Sequence, residues 1–197
     1  MSSDYATTKR IDPDLIKRCQ AGDQDSFRVL FEAYKDRIYG IAAYFGADEA
    51  TAKDITQEVF VRLFTRIADF RWRSTFDTWL YRLVVNCCMD EHRARKRLLP
   101  LDLIQSRRRR METKTAPHEE AYLRAEITGA VQATVRSLKP KLRMPVVLRY
   151  LEELSYDEIA VILDCSPGTV ASRLNRAHRA LARKLAYLAS RELSQDR

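Results

Sequence analysis

Two arginine-rich segments hold the side chains in this sequence most suited to chemistry, and the chemistry they suit is binding of a polyanion. Residues 93–110 carry eight positive charges against one acid, Asp102, and a second segment from Ser166 to Leu185 has no acid at all. Guanidinium groups neutralise phosphates and can bind guanine edges bidentately. Charge alone is equally compatible with solvated helix faces and a charged linker. The choice therefore depends on the elements that carry these arginines.

Side chains suited to catalysis or metal binding form no such pattern. The sequence contains no HExxH motif, Gly-rich phosphate loop, nucleophile elbow or spaced cluster of acids. We therefore expect no catalytic residue, metal or cofactor, and an enzyme such as a nuclease is the least favoured interpretation. The cysteines and histidines, which are the usual zinc ligands, show neither CxxC nor any other ligand spacing. They are Cys19, Cys87, Cys88, Cys165, His92, His118 and His178.

The cysteines and the hydropathy pattern indicate a reducing compartment. Free buried thiols are the favoured interpretation of the four cysteines, because they have no CxxC or metal-ligand spacing. The adjacent Cys87 and Cys88 are also poorly placed for a disulfide. No apolar run is long enough to cross a bilayer, and the first ten residues are polar rather than signal-like. The sequence thus predicts a cytoplasmic protein with no direct membrane insertion.

Glycine is scarce, with five residues in 197, and apolar residues recur at three- and four-residue steps, which predicts an all-α fold. We expect two small helical domains joined by a flexible linker. The predicted boundaries are a disordered tail at 1–12, a first domain at 13–97, a linker at 98–117, a second domain at 118–190 and a tail at 191–197.

The first domain is predicted to contain four helices. They begin at Asp12-Pro13, at a cap formed by Asp25 or Ser26, near residue 48, and at Thr75. Gly22 and Gly46 end the first two, and Phe31 belongs to the regularly spaced apolar stripe of the second. The third ends near Ile67 with Phe60 and Phe64 widening its buried face. In the second domain, helices are predicted from about 119 to 138 and from about 142 to 152. The first of these should turn five residues toward a core: Ala121, Ala125, Ile127, Val131 and Val135.

The strongest local pattern is a helix-turn-helix. Ser155 and Glu158 form a capping box, a short helix and a tight turn follow, and Ser166-Pro167 begins a second helix that is predicted to reach about residue 189. Five apolar residues should face inward: Val170, Leu174, Ala177, Leu181 and Leu185. Five other side chains are left outside, where they could enter a major groove: Thr169, Ser172, Arg173, Arg176 and Arg179. The alternative is a helical hairpin with a basic surface.

Several segments resemble the extracytoplasmic-function sigma factors of the sigma-70 family. AKDITQEVF at 52–60 resembles their region 2.2, and Phe70-Arg71 with TFDTWLYR at 75–82, Asn86 and Asp90 resemble regions 2.3 and 2.4. LSYDEIA at 154–160 and GTVASRLNRA at 168–177 resemble region 4.2. The resemblance covers both predicted domains in the family's order.

The resemblance implies a non-enzymatic factor that directs RNA polymerase to promoters. Core-polymerase binding to the β′ clamp helices is implied for Asp54, Gln57 and Glu58, and region 4 would dock on the β flap. Contact with melted −10 DNA is implied for Phe70 and Asn86, with phosphate contacts from Arg82, Arg93 and Arg97. Contact with −35 DNA falls on Thr169, Ser172, Arg173, Arg176 and Arg179. An anti-sigma factor is the other implied partner.

The sequence departs from the family pattern in places, and one rival interpretation stays open. Trp72, Arg73 and Asp77 stand where other residue types are common, which predicts a reshaped −10 pocket. Ala171 and Asn175 are smaller or less basic than usual, so no −35 sequence can be copied from relatives. A stand-alone regulator would explain the helix-turn-helix but would leave the first domain without a role.

Overall fold

The computed structural model describes residues 11–46, 48–98 and 129–195, and within these ranges every regular element is helical. The predicted all-α class is therefore confirmed. The first domain contains α1 (Pro13–Gln20), α2 (Gln24–Phe45), α3 (Glu49–Arg66), a 3-10 turn (Ile67–Asp69) and α4 (Phe76–Leu98). The linker predicted at 98–117 lies outside the described residues, apart from Leu98 at the end of α4.

Side-chain caps begin these helices close to the predicted positions. Asp12 accepts the Asp14 amide at 2.9 Å beside Pro13, and Thr75 Oγ1 accepts the Thr78 amide at 3.2 Å. For α2 the predicted cap was wrong. Asp23 caps this helix by accepting the amide of Asp25 at 3.2 Å. A cap must precede the first helical residue, and the Asp23 carboxylate stands one position before it.

The core of the first domain follows the predicted helical spacing. The side chains of this domain with 0% exposure come from α2, α3 and α4 and include Leu30, Ile38, Ile41, Val59, Leu63, Leu80 and Val84. Two aromatic residues predicted for the buried stripes are instead exposed, Phe31 at 38% and Phe64 at 58%. They lie where α2 and α3 meet on the outside of the bundle, so the packed interior ends beneath them.

The second domain is built from helical residues 129–136 (α5), α6 (Pro140–Tyr150), α7 (Tyr156–Ile162) and α8 (Pro167–Gln195). The helix before Pro140 ends at residue 136, two residues earlier than predicted. Pro140 begins the next helix, two residues earlier than expected, because the first helical position needs no amide. In α5, Val135 is buried while Val131 is 41% exposed. The inward positions predicted at 121, 125 and 127 lie outside the described residues.

The two domains pack against each other through α4 and α7, and through α2 and α6. Within the described ranges no helix combines the length and the apolar character needed to cross a membrane. Nor do three or more His, Cys, Asp or Glu side chains of these ranges lie close enough together to hold a metal ion.

Candidate nucleic-acid interface

The helix-turn-helix has the geometry that its sequence predicts. Ser155 Oγ accepts the Glu158 amide at 3.3 Å while Glu158 Oε2 accepts the Ser155 amide at 2.8 Å, which completes the capping box. Asp164 turns the chain with a left-handed φ of 49°, and Ser166 Oγ caps α8 by accepting the Thr169 amide at 3.2 Å. These local bonds fix the direction in which α8 leaves the turn.

The inner face of α8 is buried only over its first part. Val170, Leu174 and Ala177 are at most 1% exposed, Leu181 is half-buried, and Leu185 is 38% exposed. The predicted inward placement of Leu185 was therefore wrong. The 29 residues of α8 extend about 44 Å, against about 16 Å for the 11 residues of α6, so the domain cannot cover the whole helix.

The outer face of α8 presents the predicted basic side chains. Ser172, Arg176 and Arg179 are exposed, while Thr169 and Arg173 are half-buried. Arg176 Nε donates to the Ser172 carbonyl at 3.2 Å, a contact within the helix that a phosphate could replace. Within the described residues none of these arginines forms an ion pair with a carboxylate. Their charge is available to an external anion.

A second candidate surface lies on α4. Arg82, Asn86, Arg93 and Arg97 recur at steps of four, seven and four residues, which places them on one side of the helix, and all four are exposed. Arg93 is held by Asp90 at 3.0 Å. Arg82 is held by the other domain, because its Nε and Nη2 donate to the Val161 carbonyl at 3.0 and 2.7 Å.

The loop before α4 carries an aromatic cluster in which the exposed ring is Trp72. Phe70, the predicted aromatic wall, is only 4% exposed and packs against Trp72 and Trp79 at centroid distances of 4.9 and 5.5 Å. Trp72 is 44% exposed and lies between the exposed Arg71 and Arg73. From the sequence, Trp72 was identified only as a departure from the family pattern. The signal for it was an aromatic residue flanked by two arginines.

A side chain of α1 anchors the start of this loop. Gln20 Nε2 in α1 donates to the carbonyls of Phe70 at 2.8 Å and Ile67 at 3.0 Å. Trp72 has a φ of 57°, a left-handed conformation that costs a residue with a side chain roughly 1–2 kcal/mol. The Trp72 ring packs on Phe70, whose carbonyl Gln20 binds.

The third candidate surface is the outer face of α3. Asp54, Gln57 and Glu58 are all exposed, as predicted for residues that the domain's own core does not use. Beside Gln57 runs an apolar groove between α2 and α3, lined mainly by Phe31, Tyr39, Phe60, Val61 and Phe64. Glu58 accepts from Arg62 Nε at 2.7 Å, and Arg62 Nη1 reaches Asp90 of α4 at 3.0 Å. A polar edge thus borders an exposed apolar surface.

Known protein families match both domains of this chain. The sigma-70 region 2 family matches residues 30–98, and the sigma-70, region 4 family matches residues 128–181. The RNA polymerase sigma-H factor of Pseudomonas aeruginosa is 35% identical over 184 residues, covering 90% of this chain and 95% of that protein. The ECF RNA polymerase sigma-E factor of Escherichia coli K12 is 34% identical over 188 residues, covering 91% and 97%.

The fold also resembles solved structures. CnrH in complex with the cytosolic domain of CnrY superposes with a TM-score of 0.65 at 23% identity, covering 88% of this chain and 96% of that chain. The sigma factor RpoE of Bartonella quintana, in complex with the anti-sigma factor NepR, gives a TM-score of 0.63 at 20% identity, covering 81% and 96%. At these identities the likeness concerns the fold.

Proposed function

We infer that this protein, which belongs to the extracytoplasmic-function sigma factors of the sigma-70 family, directs core RNA polymerase to promoters by binding −35 and melted −10 DNA. One observation carries this proposal: a single chain joins two helical domains with complementary surfaces. One has a helix-turn-helix whose outward arginines form no ion pair among the described residues, and the other has exposed faces that suit a protein and a nucleic acid. The factor works by binding alone and in the cytoplasm. It has no chemical step of its own.

Polymerase binding is assigned to the exposed face of α3. Asp54, Gln57 and Glu58 supply charge and hydrogen bonds there, and the adjacent groove supplies apolar surface that the domain itself leaves exposed. Exposed apolar patches with a polar rim are typical of protein interfaces. The family resemblance supports the clamp helices of the β′ subunit as the occupant, with the second domain bound to the β flap.

Recognition of the −35 duplex is assigned to the N-terminal half of α8. Ser172, Arg173 and Arg176 stand on the side that a major groove would meet, with Thr169 and Arg179 at its two ends. Phosphate neutralisation supplies affinity that falls with salt, and each good base contact adds roughly 1–3 kcal/mol of discrimination.

Replacing Arg176 with alanine should weaken binding of holoenzyme to −35 DNA for all sequences, because the main role of this side chain is phosphate neutralisation. The slope of log affinity against log salt should fall by about 1. Fluorescence anisotropy over a salt series measures both effects. Arg28→Ala, which removes an exposed arginine of α2, is the charge-matched control and should leave the slope unchanged. An unchanged slope for Arg176→Ala would exclude the phosphate contact.

Capture of the melted −10 strand is assigned to α4 and the loop before it. Asn86 offers an amide that can bind a base edge, Arg93 and Arg97 can hold phosphates, and Arg82 joins them once it is released from Val161. In the aromatic cluster, Phe70 and Trp72 are assigned different roles. The buried Phe70 packs against the Trp72 ring and supports it, and the exposed Trp72 ring offers a surface on which an extruded base can stack.

Replacing Trp72 with alanine should weaken binding of holoenzyme to a fork template with an exposed −10 strand about tenfold or more, because stacking on an aromatic ring contributes roughly 1–3 kcal/mol per base. Trp72→Phe is the matched control: it keeps a ring and the same left-handed backbone strain, so it should recover most of the affinity. Equal affinities for the two variants would show that the ring plays no part.

Reconstitution with core RNA polymerase tests the function as a whole. The purified chain should co-migrate with core polymerase at low salt, and the complex should start transcription at a defined promoter, mapped by footprinting. A stand-alone regulator would instead bind duplex DNA without retaining polymerase. Failure to bind core polymerase, with no inhibitor present, would refute the proposal.

An anti-sigma factor completes the proposed set of partners. One solved structure that shares this fold is a complex of a sigma factor with an anti-sigma factor, RpoE with NepR, at 20% identity to this chain. The exposed groove of Phe31, Val61 and Phe64 is apolar surface that an inhibitor could share with polymerase. Competition between the two proteins would then control activity.

A further inference from the structure

An acid lies among the residues of α4 that are assigned to −10 DNA. Asp90 follows Asn86 by four positions and precedes Arg93 by three, so the helix places it on the same side. Like charges repel each other, and a lone carboxylate at this position would therefore weaken the binding of a phosphate. The position of Asp90 requires that its charge be compensated within the protein.

Two arginines compensate the charge of Asp90, and each binds one of its oxygens. Arg62 Nη1 in α3 donates to Oδ2 at 3.0 Å, and Arg93 Nη1 in α4 donates to Oδ1 at 3.0 Å. Arg62 is also held within α3, because its Nε donates to Glu58 Oε1 at 2.7 Å. These four side chains form an ion-pair network that connects the outer face of α3 to the proposed −10 surface.

The ion-pair network is more buried at its α3 end than at its α4 end. The side chain of Arg62 is 30% exposed, whereas that of Arg93 is 62% exposed. Hydrogen bonds to Glu58 and Asp90 raise the pKa of Arg62, so its charge is retained. The nearby Cys87 thiol adds no negative charge, because burial raises its pKa to about 11. Asp90 is thus bound on one side by a partly buried cation and on the other by an exposed one.

The contact with Asp90 leaves most of the Arg93 guanidinium available to a ligand. This group carries five N–H donors in a planar fork, and Asp90 accepts from Nη1 alone. A free arginine side chain loses rotamer freedom when it binds, and this loss weakens the complex. A carboxylate that already restricts the side chain reduces the loss. Asp90 can therefore assist a phosphate contact even though it shares the negative charge of the phosphate.

We propose that Asp90, held by Arg62, is a positioning residue that orients the Arg93 guanidinium for a phosphate of the melted −10 strand. The identity of the bound strand rests on the proposed function, whereas the orientation of Arg93 rests on the contacts alone. Positioning and simple charge repulsion predict effects of opposite sign. Repulsion predicts tighter DNA binding when the negative charge of Asp90 is removed, and loss of positioning predicts weaker binding.

Asp90→Asn in the holoenzyme tests this role, with Glu91→Gln as the matched control. Glu91 is the next residue of α4, carries the same charge and is likewise half-buried. Fluorescence anisotropy should show about fivefold weaker binding of Asp90→Asn to a fork template with an exposed −10 strand, because the one oxygen of an amide cannot serve both arginines. The control should bind at least as tightly as the unmodified protein. Unchanged or tighter binding by Asp90→Asn would overturn the proposal.

Double-mutant cycles separate an effect through Arg93 from a general disturbance of α4. In the Arg93→Gln background, Asp90→Asn should cause no further loss of affinity, whereas a general disturbance would add to the loss. Arg62→Gln should weaken binding of the fork template about threefold, and this effect should disappear in the Asp90→Asn background. Circular dichroism checks that each variant is folded. Additive effects in either cycle would contradict the positioning role.

Two reference measurements distinguish a failure of this proposal from a failure of the proposed function. Binding of each variant to core polymerase is measured separately, because Glu58 lies on the proposed polymerase face and contacts Arg62. Binding of the fork template by the unmodified holoenzyme is the second reference. Its absence would refute the proposed function and, with it, the role of Arg93. Its presence, with equal affinities for Asp90→Asn and Glu91→Gln, would refute the positioning alone.

Discussion

Replacing Asn86 with alanine should lower promoter opening by roughly ten- to a hundredfold while leaving polymerase binding intact. The side-chain amide can bind one base edge through two hydrogen bonds, a contact that contributes about 1–3 kcal/mol, and each 1.4 kcal/mol is a factor of ten. Melting costs a few kcal/mol per unstacked base, and contacts with the extruded base offset this cost. Loss of the Asn86 contact therefore makes promoter opening less favourable. Run-off transcription by reconstituted holoenzyme measures the defect.

Two controls separate a DNA contact of Asn86 from an effect on folding. Because the side chain is exposed on α4, its removal should not change the free energy of unfolding by more than about 0.5 kcal/mol. Gln24→Ala removes an exposed amide at the start of α2 and should transcribe normally. Normal run-off transcription by the Asn86→Ala protein would show that the base contact lies elsewhere.

Replacing Asp54 with arginine should weaken binding to core polymerase at least tenfold. Reversal of a charge in a complementary interface replaces attraction by repulsion, which costs several kcal/mol where the charges become desolvated. Asp54 is exposed on α3, so the domain itself should remain folded. Competition for labelled core polymerase against the unmodified protein measures the change.

The matched control for this reversal is Asp36→Arg, which makes the same change at an exposed position of α2. It should retain core binding, since the proposed contact involves the face of α3 and the groove beside it. Equal losses for the two variants would indicate a general charge effect. Unchanged binding by Asp54→Arg would remove this face from the polymerase interface.

Elements governed by neighbouring residues could be predicted from the sequence. The capping box at Ser155, the turn before Pro167 and the buried positions Val170 and Leu174 appear in the structure as expected. Each depends on residues three or four positions apart, whose contacts the helix itself determines. The errors of this kind were small, such as the cap of α2 at Asp23 instead of Asp25.

Exposure at the edges of the bundle could not be predicted in the same way. Phe31 and Phe64 share the spacing of core residues, yet they border an open groove, and Phe70 lies beneath Trp72 rather than at the surface. Spacing shows which residues share a face, but it does not show whether another element covers that face. The roles of Trp72 and the groove thus emerged only from packing.

By itself, the sequence determined the helices, most of their caps, the helix-turn-helix and the basic faces, because these follow from short-range periodicity and charge. Tertiary structure alone decided where Glu152 and Arg82 find their partners. Glu152 meets Arg37 across 115 positions, and Arg82 meets Val161 across 79. The physical reason is that both contacts join residues far apart in the chain, and a carboxylate such as Glu152 is buried only when distant elements bring it donors to replace water.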